Sequence, residues 1–333
     1  MGTEWNAYDA QKMSAGKAYG EALAEIAKDN PNIVALTADL AKSTNTGIFG
    51  NKYPDRMFNV GIAEQNLFGM AAGMAKVGYI PFASTFASFA SMRACEQIRT
   101  DICYQNLNVK IIATHGGLSF GTAGSTHHCI EDIAIMRSLP RMTVCIPADA
   151  YETSRAIKEC VNINGPFYLR VGRGMEPLLH TEENNFDFKI GKAMKLKEGH
   201  DVCIIACGIP VRDSLIAANN LEKQGISVEV INMHTIKPLD EEAVLEVLNK
   251  TKKIITVEEG NIIGGLGDAV ASVLATSGKR HILTKMGIND EFSPIGKPED
   301  LYAIYKLTSQ GIEEKVLEIL GKEIEEEDWE DED

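Results

Sequence analysis

Residues 58–99 read FNVGIAEQNLFGMAAGMAKVGYIPFASTFASFASMRACEQIR, and the reading of this stretch decides the rest of the chain. A β-rich run, Met57 to Gly61, stops at a glycine and delivers Glu64 into the first turn of a helix expected over Ala63 to Val77. The helix face bearing Ala63, Met70, Ala71, Gly73, Met74 and Val77 is small enough to pack closely. That packing leaves Glu64 little water and predicts a carboxyl partly protonated near neutral pH. Phe86 and Phe89, three residues apart, are expected at the start of a second helix and on one face of it. An acid beside an aromatic shelf points to a planar nitrogen heterocycle.

Outward from this stretch the chain alternates strands and helices. IVALTA (Ile33 to Ala38), VKIIAT (Val109 to Thr114), TVCIP and FYLRVGR (Phe167 to Arg173) are short apolar strands, separated by helical patterns. A second alternation follows through DVCIIAC, SVEVIN, KIITVEE and HILTKMGI. The fold class is therefore α/β, with two α/β/α units built on parallel sheets. The expected division is a first domain over 1–175, an irregular linker over 176–190, a second domain over 191–321 and an acidic tail over 322–333. Ligand contacts in such folds gather at the carboxyl ends of strands. Asp39 and Ser43 follow one of these strands and can face a site, although an Asp at that point also serves as a turn residue or helix cap. His115 follows another, and opens a glycine-rich loop, HGGLSFGTAGSTHH, too long for a simple turn.

Composition narrows the function. Of 333 residues 44% are apolar and 24% charged, as in an ordinary globular protein. The net charge is −14, but Glu323 to Asp333 hold nine acids and no base, so the remainder carries only −5. That body has no nucleic-acid footprint, and the tail reads as a solvated, disordered end. Seven cysteines without a C-x-x-C pair read as small buried hydrophobes. No signal peptide and no apolar run of membrane-spanning length is present, so a cytoplasmic protein without membrane contact is expected. The glycine run Asn261 to Gly267 fails the dinucleotide spacing. His115, His127 and His128 lack a cysteine or carboxylate at zinc-like spacing, and hydrogen-bonding and proton-transfer roles fit them better than metal ligation.

GIAEQ (61–65), STFASF (84–89), ATHGGLSFG (113–121), STHH (125–128) and IPAD (146–149), in this order, resemble the pyrimidine-binding half of transketolases and of the related deoxyxylulose-phosphate synthases. The region VEEGNIIGGLGDAV resembles the carboxyl-terminal domain of transketolases and of the β subunits of 2-oxoacid dehydrogenases. The resemblance covers roughly residues 10 to 320 and implies thiamine diphosphate as cofactor. It implies that Glu64 contacts a ring nitrogen of the aminopyrimidine, and that Phe86 and Phe89 form the stacking shelf. Met92 stands where many members have a third aromatic. It also implies that His115 and His127 contact the ketose and share in proton transfer, and that Asp39, Ser43 and Arg173 bind the substrate, Arg173 through the phosphate.

Members of the family hold the cofactor's diphosphate through Mg²⁺, bound by a G-D-G motif and a later asparagine. No G-D-G occurs here; the nearest, Gly267-Asp268-Ala269, has the wrong third residue. The resemblance thus implies half an enzyme: the C-terminal subunit of a split transketolase, whose N-terminal partner carries the diphosphate and Mg²⁺ site in an α2β2 heterotetramer. Two departures, Gly16 where the family has a phosphate-binding arginine and Ala123 where it has a hydroxyl-reading aspartate, point to an unusual donor such as a sulfo-ketose. The alternatives are a split deoxyxylulose-phosphate synthase, disfavoured by His115, and a non-catalytic scaffold half, disfavoured by the retention of Glu64, Phe89 and His127 together.

Overall fold

The computed structural model describes residues 11–180 and 186–322; the acidic tail and residues 181–185 lie outside the described residues. Two sheets organise the chain. The first contains strands β2 (Ile33–Thr37), β3 (Met57–Asn59), β4 (Ile80–Phe86), β5 (Lys110–Thr114), β6 (Thr143–Cys145) and β7 (Phe167–Arg170). The second contains β9 (Met194–Lys197), β10 (Val202–Ala206), β11 (Val228–Asn232), β13 (Lys253–Asn261) and β14 (Ile282–Ile288). A short pair, β1 (Lys12–Met13) with β8 (Glu176–Pro177), lies apart, and β12 (Thr235–Lys237) completes the set. The runs IVALT, KIIAT and VCIIA are buried at every position, as central strands of parallel sheets covered on both faces must be.

The first sheet has the order β12-β6-β7-β5-β4-β2-β3, and all its neighbours run parallel except β12. The second has the order β14-β13-β10-β11-β9 and is parallel except for β9. Each expected parallel sheet therefore ends on one antiparallel edge strand, and β12 reaches the first sheet from the second half of the chain. Its attachment is continued by Ile146, whose N–H donates to the His234 carbonyl at 2.7 Å. The largest apolar cluster is likewise shared, holding Ile133, Val144 and Ile146 together with Ile205, Ile231 and Val270.

The segment 176–190, expected to be irregular, is packed at its start. Glu176 pairs with Met13 across β8 and β1, and the N–H groups of Leu179 and His180 donate to Asp149 Oδ2 at 2.8 and 2.9 Å. The same Asp149 caps the helix Ala150–Cys160 by accepting from Glu152 N–H at 2.8 Å. One aspartate thus ends a turn, starts a helix and fastens the connection.

Candidate active site

Because β2, β3, β4, β5 and β7 run parallel, their carboxyl ends share one edge of the sheet. The residues singled out from the sequence leave that edge: Asp39 after β2, Glu64 after β3, Phe86 and Phe89 at β4, His115 after β5 and Arg173 after β7. The alternation of elements, not any one motif, brings them together.

Glu64 opens the helix Glu64–Lys76 and is 5% exposed. The face buried with it carries Leu67, Phe68, Ala71 and Ala72. This corrects the expected packing face: Gly73 and Val77 lie outward, because the larger Leu67 and Phe68 take the core side. Phe86 is the last residue of β4 rather than the start of a helix, and Phe89 begins a π-helical turn, Phe89–Arg93. The expected shelf survives this change, with ring centroids 5.4 Å apart at 34°. Met92 is 52% exposed, so much of its side chain faces outward.

Arg93 escaped the sequence reading. In the wider π turn its guanidinium lies over the Phe89 ring, 3.8 Å from the centroid, and Nη1 donates to Glu64 Oε1 at 3.2 Å. A planar nitrogen group thus bridges the carboxylate and the ring face, beside an open cleft of 580 Å³ lined by Ile62 to Asn66 and Arg93. The guanidinium is a stand-in for an aminopyrimidine: flat, rich in N–H and complementary to the same acid and ring. The residues present therefore fit the pyrimidine end of thiamine diphosphate.

His115 sits just past β5 with φ 61°, a left-handed backbone unusual for a histidine, and is 6% exposed. Its Nδ1 shares a hydrogen bond with Thr114 Oγ1 at 2.9 Å, and its ring lies 4.1 Å from that of Phe86. Burial, with the charge of Arg173 and the neighbouring His127, pushes its pKa down to about 4, so the imidazole is neutral at physiological pH. His127 is half-buried with its ring 5.4 Å from Phe89, and its Nδ1 meets Thr126 Oγ1 at 2.9 Å. His128 turns away instead: its Nε2–H donates to the Gly121 carbonyl at 2.9 Å and closes the loop on itself. Among the described residues no group of three or more His, Cys, Asp or Glu side chains is placed to hold a metal ion.

Asp39 also adopts a left-handed backbone, φ 60°, in an exposed turn. Its N–H donates to Asn59 Oδ1 at 2.9 Å, and its Oδ1 accepts from Asn59 Nδ2 at 3.2 Å, which ties the ends of β2 and β3 together. Asp39 thus serves the turn while remaining at the rim, and Ser43 is exposed a few residues on. Arg173 lies three residues beyond the end of β7, exposed, with its guanidinium 4.4 Å from the Phe120 centroid. A Cβ at Gly16 would stand 2.7 Å from Asn45 Nδ2, so a larger side chain there requires the Asn45 amide to move. Lys17 pairs with Glu21 at 3.5 Å on the exposed side of its helix.

The histidine loop is backed by a buried network from both halves. Glu259 Oε1 accepts from Leu118 N–H at 2.7 Å and from Tyr302 O–H at 2.6 Å. Arg170 donates to the Glu259 carbonyl at 2.6 Å and the Cys129 carbonyl at 3.2 Å, and its Nε lies 3.4 Å from Asp132, which accepts from Tyr168 O–H at 2.7 Å. Burial opposes the Arg170 charge, but Asp132 and Glu259 outweigh it and hold the guanidinium protonated. Burial likewise pushes the Glu259 carboxyl up, against the pull of Arg170. A Cβ at Gly116 would collide with Arg170, and one at Gly117 with Glu259, so these glycines are required for the close approach. The other glycine run is also structural: Glu258 accepts from Leu266 and Gly267 N–H at 2.8 Å each, satisfying the start of the helix Leu266–Thr276. Asp268 is engaged as well, accepting from Gly264 N–H at 2.6 Å and from Lys285 at 2.9 Å.

Fold and site together define an α/β protein that presents an acid, an aromatic shelf and two histidines on one sheet edge. The transketolase pyrimidine-binding domain model matches residues 11–177, and the transketolase C-terminal domain model matches residues 191–312. The chain belongs to the transketolase family. It is 45% identical over 308 residues to a putative transketolase C-terminal section of Methanocaldococcus jannaschii, covering 92% of this chain and 96% of that one. It is 40% identical to a 6-deoxy-6-sulfo-D-fructose transketolase subunit of a Clostridium species, covering 88% and 90%. A solved split-gene transketolase, described as an inactive β4 tetramer, superposes with a TM-score of 0.84 at 45% identity, over 93% of this chain and 98% of its own. The chain therefore corresponds in extent to the separate C-terminal polypeptide of split-gene members, and family membership implies dependence on thiamine diphosphate. No helix among the described residues is long and apolar enough to cross a membrane.

Proposed function

We propose that this chain is the C-terminal subunit of a split transketolase and moves a two-carbon ketol unit from a ketose to an aldose in an α2β2 complex. The observation that carries the reading is the buried Glu64 carboxylate, held against the Phe89 face by a planar nitrogen group. Thiamine diphosphate, when bound, supplies the carbon nucleophile and the electron sink for carbon–carbon cleavage. Glu64 holds or returns a proton at a pyrimidine nitrogen, and Phe86 and Phe89 orient the ring. His115, neutral at working pH, donates to or accepts from a substrate oxygen without the cost of discharging an imidazolium, and His127 shares that proton traffic. Asp39 and Ser43 at the rim and Arg173 beyond them bind the sugar, Arg173 at a phosphate or sulfonate terminus.

The partner supplies the diphosphate and Mg²⁺ site. Support for this comes from Asp268, which is committed to Gly264 and Lys285, and from Ile62 and Val77 beside the two ends of the helix Glu64–Lys76, which are 79% and 74% exposed and suited to burial against another subunit. A solved relative that is inactive as a β4 assembly fits the same account.

The test is reconstitution with a diphosphate-binding partner subunit, followed by titration with thiamine diphosphate and Mg²⁺ and a ketol-transfer assay. Wild type is expected to bind and transfer, and Glu64→Gln to bind while turning over about 100-fold more slowly or worse. A reconstituted complex that binds no cofactor would overturn the proposal.

A further inference from the structure

Phe120, half-buried at the mouth of the histidine loop, places its ring 4.8 Å from His115, 5.4 Å from His127 and 5.8 Å from Phe86, each edge-on. On its remaining side the Arg173 guanidinium lies 4.4 Å from the centroid. Among the described ring contacts, Phe120 alone meets both histidines and the arginine.

The ring is fixed from behind. Leu118 N–H is bound to Glu259, Ala123 N–H donates to the Phe120 carbonyl at 2.8 Å, and Gly121 is packed so tightly on Gly296 that a Cβ would collide with its carbonyl. Beside it stands Ala123, which offers no polar group to a hydroxyl. Arg173, by contrast, is exposed and follows a glycine, and the Phe120 face is the ring that orders it. A guanidinium on a ring keeps its edge N–H groups free for an incoming oxyanion.

The geometry points to Phe120 as the specificity-determining residue of this site: it holds Arg173 for an anionic terminus and walls that end of the pocket with carbon. This rests on the ketol-transfer reading above.

The experiment uses the two-subunit complex with Phe120→Leu, Phe120→Tyr, Arg173→Gln and the double variant Phe120→Leu/Arg173→Gln. Donors are fructose 6-phosphate and the short, uncharged L-erythrulose, and fructose 6-phosphate binding is also titrated calorimetrically without acceptor. Phe120→Leu keeps apolar bulk but loses the π face. It is expected to raise KM and Kd for the anionic donor up to about fivefold, to leave L-erythrulose within about 1.5-fold, and to be rescued by Phe120→Tyr. The double variant is expected to match Arg173→Gln alone, because both changes remove one contact. Equal losses on both donors, or independent multiplication of the two single effects, would overturn the assignment. Should wild type transfer from no donor, the ketol-transfer reading fails, and the same cycle measured by binding still decides the role of Phe120.

Discussion

Glu259→Ala removes the acceptor that joins the histidine loop to the second half of the chain. The side chain is buried, accepts from Leu118 N–H at 2.7 Å and Tyr302 O–H at 2.6 Å, and lies 4.0 Å from Arg170 Nη2. Truncation leaves a buried amide and a buried hydroxyl unsatisfied and strips Arg170 of one of its two carboxylates. Removing one partner of a buried ion pair costs about 3–5 kcal/mol. Unfolding entropy of about 2 cal/mol/K per residue then gives a fall in Tm of roughly 4–7 °C for a chain of this length. Glu259→Gln retains an oxygen for Leu118 and Tyr302 and loses only the charge, so about half that fall is expected. The assay is differential scanning calorimetry with hydrogen exchange of the loop amides, read on the same preparations. Leu118 N–H should lose protection in the alanine variant and retain most of it in the glutamine variant. A shift below about 1 °C, or unchanged Leu118 protection, would refute the claim that Glu259 carries the loop.

Three further outcomes follow from the same structure. Arg93→Gln frees Glu64 and Phe89 and should tighten thiamine diphosphate binding to the reconstituted complex up to about fivefold, since the displaced charged hydrogen bond is half-exposed and worth roughly 1 kcal/mol; calorimetric titration reporting weaker binding would show that Arg93 assists instead. Glu176 is buried, and burial, then Glu259 and Asp149, push its carboxyl up to about 8. The folded state then holds a proton that the unfolded state releases near 4.5, so this group's contribution is present at low pH and lost as pH rises from about 4.5 to 8. Glu176→Gln should flatten that fall in denaturant-measured stability and leave acid stability unchanged. Gly117→Ala, at φ 57° and facing Glu259, should lower Tm and ketol transfer together, and a variant of wild-type stability would contradict the required close approach.

Much of the fold was legible because its signal is local. Fully apolar runs such as IVALT and VCIIA admit few alternatives to central parallel strands, and the edge where Asp39, Glu64, Phe89, His115 and Arg173 meet follows from parallel order. What stayed hidden depends on pairing over distance. Arg93 stands four residues from Phe89, a spacing that any helical turn puts on one face, but its hydrogen bond to Glu64 spans 29 residues and has no local signal. Glu259 meets Leu118 across 141 residues, and nothing in VEE distinguishes a loop anchor from an ordinary strand end. Phe120 read as one residue of a glycine-rich loop, since contacts to two histidines and an arginine have no spacing signature. His115 and His128 look alike in sequence, yet one faces the shelf and the other staples the loop.

Strand β12 carries one consequence for how this polypeptide can be cut and recombined. Although the family models end and restart between residues 177 and 191, the first sheet takes its last strand, Thr235–Lys237, from beyond that gap. A fragment ending near residue 180 would keep the pairing of β6 with β7 but bare the other edge of β6 at Val144 and Cys145 and lack their apolar neighbours Ile205 and Ile231. Such a fragment is a template for aggregation rather than a portable module. Chimaeras and gene fusions built from this chain will need to exchange the two halves together, or graft residues 234–237 with the first.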